Sequence, residues 1–201
     1  MAMTRFEKLF VNRQEKTERN IETVQNRLHS LNIQNIHDVL EIGCGIGALS
    51  AFLSSEYGMN VHGTDFDPAQ IQIARELYKE GDRLHFHIED AAKLTFEDAS
   101  FDLVLSQNVF HHIAVWPQAV SEIARVLRLD GHLIWIDMVF PRVITQLFKP
   151  LAKTYGLYTF DDIWLELWDN GFDERVHERQ LHGPFSYHHF VMQKACSTAQ
   201  S

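Results

Sequence analysis

Cysteine is nearly absent from these 201 residues: only Cys44 and Cys196 occur, with no CxxC pair. A disulfide framework and a thiolate zinc site are therefore not expected. Positive charge is also short, with 18 Lys and Arg against 27 Asp and Glu, giving a formal net charge of −9. A chain so acidic is not expected to bind nucleic acid through broad electrostatics. No apolar run approaches the roughly 20 residues that a membrane-spanning helix requires. The first residues, "MAMTRFEKLFVNRQEK", carry charges where a signal peptide would have its apolar centre. Internal repeats and low-complexity segments are missing as well. A cytoplasmic protein with one ordinary core is the expectation, since 45% of residues are hydrophobic.

What the chain does contain is a regular alternation of strand-like and helix-like segments. Ile21, Val24, Leu28 and Leu31 recur at helical spacing within residues 13–31. "HDVLEIG" is a short apolar run ending in glycine and reads as a buried strand. "ALSAFLSSEYG" follows as a helix closed by Gly58. "NVHGTDFD" reads as a second strand, after which Asp67 and Pro68 suit the N-cap and first position of a helix. "RLHFHIED", "SFDLVLSQN" and "HLIWIDMV" read as three more strands, with a helix carrying Ala119, Val120, Ile123, Ala124 and Leu127 on one face, and an Asp130-Gly131 turn before the fifth. Thr159 and Asp162 have capping-box spacing ahead of a helix with Ile163, Trp164, Leu167 and Trp168 on it, which Asn170-Gly171 ends. "FDERVHERQ" and "FSYHHFVMQK" are then joined by a short link, which favours an antiparallel pair. The expected fold is α/β: a doubly wound, Rossmann-like, seven-stranded and mostly parallel sheet with helices on both faces and a C-terminal antiparallel hairpin.

The loop "EIGCGIGALS" concentrates the functional signal. Gly43, Gly45 and Gly47 permit a sharp strand-to-helix turn and a close approach of backbone N–H groups to a ligand. Gly43-x-Gly45-x-x-Ala48, with Asp65 some twenty residues on, also satisfies a dinucleotide fingerprint. A ligand-free glycine turn is the bland alternative. Glu41 separates the readings, because its carboxylate disfavours a pyrophosphate and favours a cationic amino acid moiety.

"VLEIGCGIGALS", "VHGTDFDP", "EDAAKLTFEDASFDLVLSQNVFHHI" and "EIARVLRLDGHLIWID", in that order, resemble successive motifs of the class I S-adenosylmethionine-dependent methyltransferases. The likeness is closest to the branch whose members mostly methylate small molecules, and it covers roughly residues 35–140. The resemblance implies that Gly43, Cys44 and Gly45 line the methionine part of the cofactor, with Glu41 near its amino group. It implies further that Asp65 accepts the ribose hydroxyls and that Phe66 packs on the adenine. Asp90 and Ala91 would meet the adenine edge, and the Gln107 backbone would lie near the amino group. For three of these residues a plain role stands beside the implied one: Asp65 as a turn residue, Asp90 as a solvated loop residue, Phe66 as core packing.

His111 and His112 follow the fourth strand, at the edge where such sheets bind ligands, and are the candidate catalytic bases. Packing and hydrogen bonding are the other role open to them. No metal site is expected: His85/His87 and His188/His189 have strand spacing without a carboxylate set. The same likeness divides the chain into an N-terminal helical cap (1–34), a cofactor-binding core (35–137), a lid insertion (138–160) and a helix with the closing hairpin (161–195), all one methyltransferase domain. In the insertion, Val143, Ile144, Leu147, Phe148 and Leu151 share a helical face, with Lys149 and Lys153 away from it. That face suits a lid over a partly apolar acceptor, a shallow contact with a membrane surface, or plain packing on the sheet. Phe6, Phe10 and Arg13 are candidates to close the pocket from the other side. The expected partner is a small-molecule methyl acceptor. Nucleic acid is not expected, since "SQNVF" stands where an amino-methylating Asn/Asp-Pro-Pro-aromatic motif would be. The rival functions are an NAD(P)-dependent oxidoreductase and a non-catalytic cofactor-binding scaffold.

Overall fold

In the computed structural model, which describes residues 14–148, 154–182 and 185–195, the apolar run before the glycine loop forms strand β1 (Asp38–Ile42). The proposed contacts of Phe6, Phe10 and Arg13, and the places of Lys149, Leu151, Lys153 and Cys196, lie outside the described residues. Two compact units meet in the chain at Asp90 and Ala91.

The first unit holds α1 (Gln14–Leu28), a 3-10 turn at Ile33–Asn35, β1, α2 (Ala48–Tyr57), β2 (Asn60–Asp65), α3 (Pro68–Leu77) and β3 (Leu84–Ile88). In α1, Val24 and Leu28 are buried at i, i+4, and the helix stops at Leu28 rather than running to Leu31. Helix α2 starts after Gly47 and ends at Gly58, both left-handed with φ of 79° and 67°. Asp67 caps α3 by accepting from the Ala69 N–H at 3.0 Å, and Pro68 takes the first helical position. Strands β1 and β2 pair in parallel, as do β2 and β3. Two side chains occupy backbone groups of β3: Glu80 accepts from the Phe86 N–H at 2.7 Å and Arg75 donates to the Phe86 carbonyl. Phe86 is wholly buried, and its ring fills the space a Cβ would need at Gly47, 2.5 Å away. Gly47→Ala combines that overlap with a strained positive φ, so a loss of roughly 2–4 kcal/mol of stability is expected in urea denaturation.

The second unit holds β4 (Phe101–Gln107), a 3-10 turn at Phe110–His112, α4 (Trp116–Val126), β5 (Leu127–Val139), α5 (Arg142–Leu147), α6 (Phe160–Asp169), β6 (Phe172–His182) and β7 (Phe185–Lys194). Ala119, Val120, Ile123 and Ala124 of α4 are buried, as their spacing requires. The expected turn at Asp130-Gly131 lies inside β5. Pairing with β4 jumps from Phe101↔Leu127 to Leu103↔His132, so the extra residues form a bulge, with Asp130 at φ 61°. The Thr159 capping box forms as expected, and Gly171 follows α6 at φ 80°. Strand β4 runs parallel to β5, and β7 is antiparallel to both β5 and β6. The sheet has seven strands in the order β3-β2-β1-β4-β5-β7-β6, mostly parallel and finished by the antiparallel pair.

Candidate active site

The three glycines of the loop all sit in backbone that favours glycine: Gly43, Gly45 and Gly47 have φ of 73°, 55° and 79°. The Cys44 N–H continues the strand pairing to the Thr64 carbonyl at 2.8 Å, and the Gly45 N–H turns to donate to Asp65 Oδ2 at 3.0 Å. The other oxygen of Asp65 accepts from the Asp67 N–H at 2.8 Å. Asp65 is thus a turn residue, and it also holds the glycine loop, a contact the sequence reading did not assign to it. Phe66 beside it is 52% exposed, which removes the core-packing alternative. Asp90, two residues beyond β3, is exposed, while Ala91, the first residue of the second unit, is buried.

Glu41 is enclosed rather than open to solvent. Its carboxylate accepts from the Ser50 hydroxyl on α2, and its backbone carbonyl accepts from Thr64 Oγ1 at 2.8 Å. Burial pushes its pKa up to about 7, against the pull of the Ser50 hydrogen bond, with the charge of Asp65 adding to the rise. Burial raises the Cys44 thiol too, with Glu41 and Asp65 adding to the effect, so this cysteine is no nucleophile at neutral pH. Two neighbouring carboxylates at a backbone cradle suit a ligand that brings a positive charge and hydroxyl donors. They do not suit a pyrophosphate. The donor set therefore fits S-adenosylmethionine.

In the second unit, Gln107 ends β4 and Asn108 turns the chain at φ 58°, its N–H donating to the Ile136 carbonyl at 2.8 Å. The turn at Phe110–His112 is gripped by Asp137, a residue sequence reading leaves inside the fifth strand. Asp137 Oδ2 accepts from the Phe110 N–H at 2.7 Å, and Oδ1 lies 2.6 Å from His111 Nδ1. The Met138 N–H donates to Oδ1 at 2.7 Å. The carboxylate is 1% exposed, against 19% for the His111 side chain. Tyr158 is wholly buried near it, and burial first, then Asp137, raises the pKa of its phenol. The imidazole of His112 lies 4.0 Å from that of His111, centre to centre. The signal that could have found Asp137 is its isolation as the one charged residue in "LIWIDMVF".

The insertion after β5 is tied down at both ends. The Phe140 N–H donates to the Tyr158 carbonyl at 3.0 Å, and the Gly156 N–H to the His111 carbonyl at 3.1 Å. A Cβ at Gly156 would fall 2.2 Å from the Phe110 carbonyl oxygen, so only glycine permits that approach. Helix α5 covers just six residues and buries none of them; Val143 and Leu147 are 64% and 69% exposed. Plain packing on the sheet therefore does not account for them.

Of the paired histidines, His87 stacks on His62 with ring nitrogens 3.0 Å apart, His85 tilts against the same ring at 4.8 Å, and His188 and His189 are buried. Among the described residues no group of three or more His, Cys, Asp or Glu is placed to hold a metal ion.

Residues 40–135 match the methyltransferase domain family. The chain is 36% identical over 112 residues to the methyltransferase GfsG of Streptomyces halstedii, covering 54% of this chain and 40% of that one. It is 37% identical over 99 residues to a 2-methyl-6-phytyl-1,4-hydroquinone methyltransferase of Synechocystis, covering 49% and 31%. The chain thus spans less than half the length of these curated relatives. Among solved structures, the PH0226 protein of Pyrococcus horikoshii shares the fold at a TM-score of 0.75 and 24% identity, covering 96% of this chain and 100% of that one. The [4+2]-cyclase SpnF shares it at 0.77 and 16%, covering 92% and 83%. A cyclase on this frame is a reminder that the sheet alone does not fix a reaction. Motifs, glycine cradle and family match agree: over residues 40–135 the chain is similar to the class I S-adenosylmethionine-dependent methyltransferases.

Proposed function

We propose that this protein methylates a small molecule, using S-adenosylmethionine held mainly by the loop from Glu41 to Gly45 and by Asp65. When bound, the cofactor supplies an electrophilic methyl group on a sulfonium that leaves as a neutral thioether. Gly43, Cys44 and Gly45 present backbone to its amino acid part, and Glu41 offers the carboxylate that a cationic amino group seeks. Asp65 takes the ribose hydroxyls, and exposed Phe66 covers the adenine. Asp90 and Ala91 serve the adenine edge, and Gln107 contributes its backbone. The observation that carries this reading is the Asp65 carboxylate, locked to the Gly45 N–H across twenty residues of chain.

His111 is the catalytic base in this proposal and Asp137 its positioning residue. With Nδ1 held by Asp137, Nε2 is the atom that takes the acceptor's proton, so an acceptor hydroxyl is favoured over an amine that needs no base. His112 has a supporting role in the same turn. Residues 138–160 cover the acceptor, the exposed face of α5 being suited to a partly apolar one. A cytoplasmic location belongs to the same proposal; among the described residues no helix is long and apolar enough to cross a membrane.

Calorimetric titration with S-adenosylhomocysteine tests the cofactor site. The wild type should bind saturably, and Asp65→Ala should weaken binding by at least about 150-fold, the worth of two hydroxyl hydrogen bonds to a carboxylate at roughly 1.5 kcal/mol or more each. A folded wild type that does not bind would overturn the reading.

A further inference from the structure

One face of the β6–β7 pair is polar where a covered sheet face is ordinarily apolar. The register sets Arg179 opposite His188 and Leu181 opposite Ser186, and alternation adds His177 to the same face. Over this face lies a cavity of about 630 Å³, walled by residues 139–142, by Thr145 and Gln146 of α5, and by the start of α6 at residues 159–162. Its size is that of a small-molecule site.

The polar groups of the floor are linked to one another. Ser186 Oγ lies 3.1 Å from His188 Nε2, and His188 Nδ1 lies 2.8 Å from His177 Nε2. Burial, then the neighbouring His177 and Arg179, pulls the pKa of His188 down to about 4, so its ring is neutral at pH 7. The fixed charges of the wall are Arg142, Arg179, Asp161 and Asp162. Asp162 is turned into its own helix cap, accepting from the Thr159 N–H and hydroxyl at 2.8 and 2.7 Å. Among the described residues neither arginine forms an ion pair. Two guanidiniums facing a single uncommitted carboxylate make a locally positive cavity in a chain of net charge −9. Aromatic rings stand among the other wall residues: Phe160 stacks on His177 at 5.3 Å and 16°, and Phe140 meets Phe185 edge-on at 5.8 Å.

We propose that this cavity binds a small aromatic carboxylate, its ring against Phe160 and the Phe140–Phe185 pair and its carboxylate on Arg142 and Arg179. Arginine is the residue type that engages a carboxylate through two parallel hydrogen bonds, and flat aromatic walls select a flat ligand. That the ligand is the methyl acceptor rests on the methyltransferase reading; that it binds does not.

The full chain, without cofactor, is titrated calorimetrically with benzoate and with benzamide, its neutral isostere. Benzoate should bind saturably and at least ten-fold more tightly than benzamide, and its affinity should fall as salt is raised. Arg179→Gln and, separately, Arg142→Gln should each weaken benzoate at least ten-fold while leaving S-adenosylhomocysteine binding within two-fold. Equal affinities for the two probes, no binding of either at millimolar concentration, or unchanged benzoate affinity in both variants would overturn the proposal. The homocysteine titration separates the two inferences. Benzoate bound without it keeps the cavity and rejects the methyltransferase reading, and the reverse result rejects the cavity alone.

Discussion

Asp137→Asn should lower kcat for methyl transfer by about a hundred- to ten-thousand-fold, the contribution of a positioned general base. The carboxylate only accepts, and its 2.6 Å contact with His111 Nδ1 therefore keeps the proton on Nδ1 and the lone pair on Nε2. An asparagine has one oxygen, whereas the Phe110 N–H donates to Oδ2 and the Met138 N–H to Oδ1. With that oxygen at the Oδ2 position, held by the Phe110 N–H, it turns an amide N–H toward His111 Nδ1 and reverses the tautomer. The imidazole stays in place but can no longer accept at Nε2. Affinity for S-adenosylhomocysteine should stay within two-fold, and the acid limb that a histidine base imposes on the rate profile should vanish. Full activity in a folded variant would mean that the acceptor is nucleophilic without help and that His111 is not a base.

Glu41→Gln should move stability and cofactor affinity in opposite directions. The folded chain holds the Glu41 proton up to a pKa of about 7, against 4.5 for the free side chain. Below pH 4.5 both states are protonated and stability is full. Between pH 4.5 and 7 the unfolded state has released a proton that the folded state keeps, so stability falls as pH rises, by on the order of 3 kcal/mol. Above pH 7 the curve is level. Glutamine still accepts from Ser50 but cannot ionise, so the slope should disappear and the variant should gain roughly 2 kcal/mol at pH 8. Affinity for the cationic cofactor should drop at least ten-fold at the same pH, and the wild type's affinity should climb through pH 7. Urea denaturation at pH 5 and 8, with calorimetry alongside, reads both. Destabilisation of the variant at pH 8 would show that the ionised carboxylate already has good partners in the free protein.

Features set by local chemistry were legible in the chain. The glycine loop, the Asp67-Pro68 helix start and the Thr159–Asp162 box depend on residues within a few positions of each other, and each formed where its spacing placed it. The strand-and-helix rhythm likewise implied a parallel sheet with a closing hairpin. Asp137 was not legible, because alternation along "LIWIDMVF" reports burial but not the His111 that lies 26 residues earlier. The His177–His188 contact is set by hairpin register, and no single-strand pattern encodes register. Apolar residues recur at helical spacing from Val143 to Phe148, yet α5 spans only Arg142–Leu147, because spacing reports a face and not where a helix ends.

The ties at Phe140–Tyr158 and Gly156–His111 bring the two ends of the insertion side by side through backbone groups alone. Loop closure then depends only weakly on length, each doubling costing about 0.6 kcal/mol. The stretch between these ties is in effect an exchangeable cassette. Where residues 138–160 cover the acceptor, as proposed, a change in the composition of that stretch should alter which acceptor is admitted while the two hydrogen bonds keep its ends in place. On that proposal, a change of substrate needs no new fold, only a new segment between two fixed hydrogen bonds.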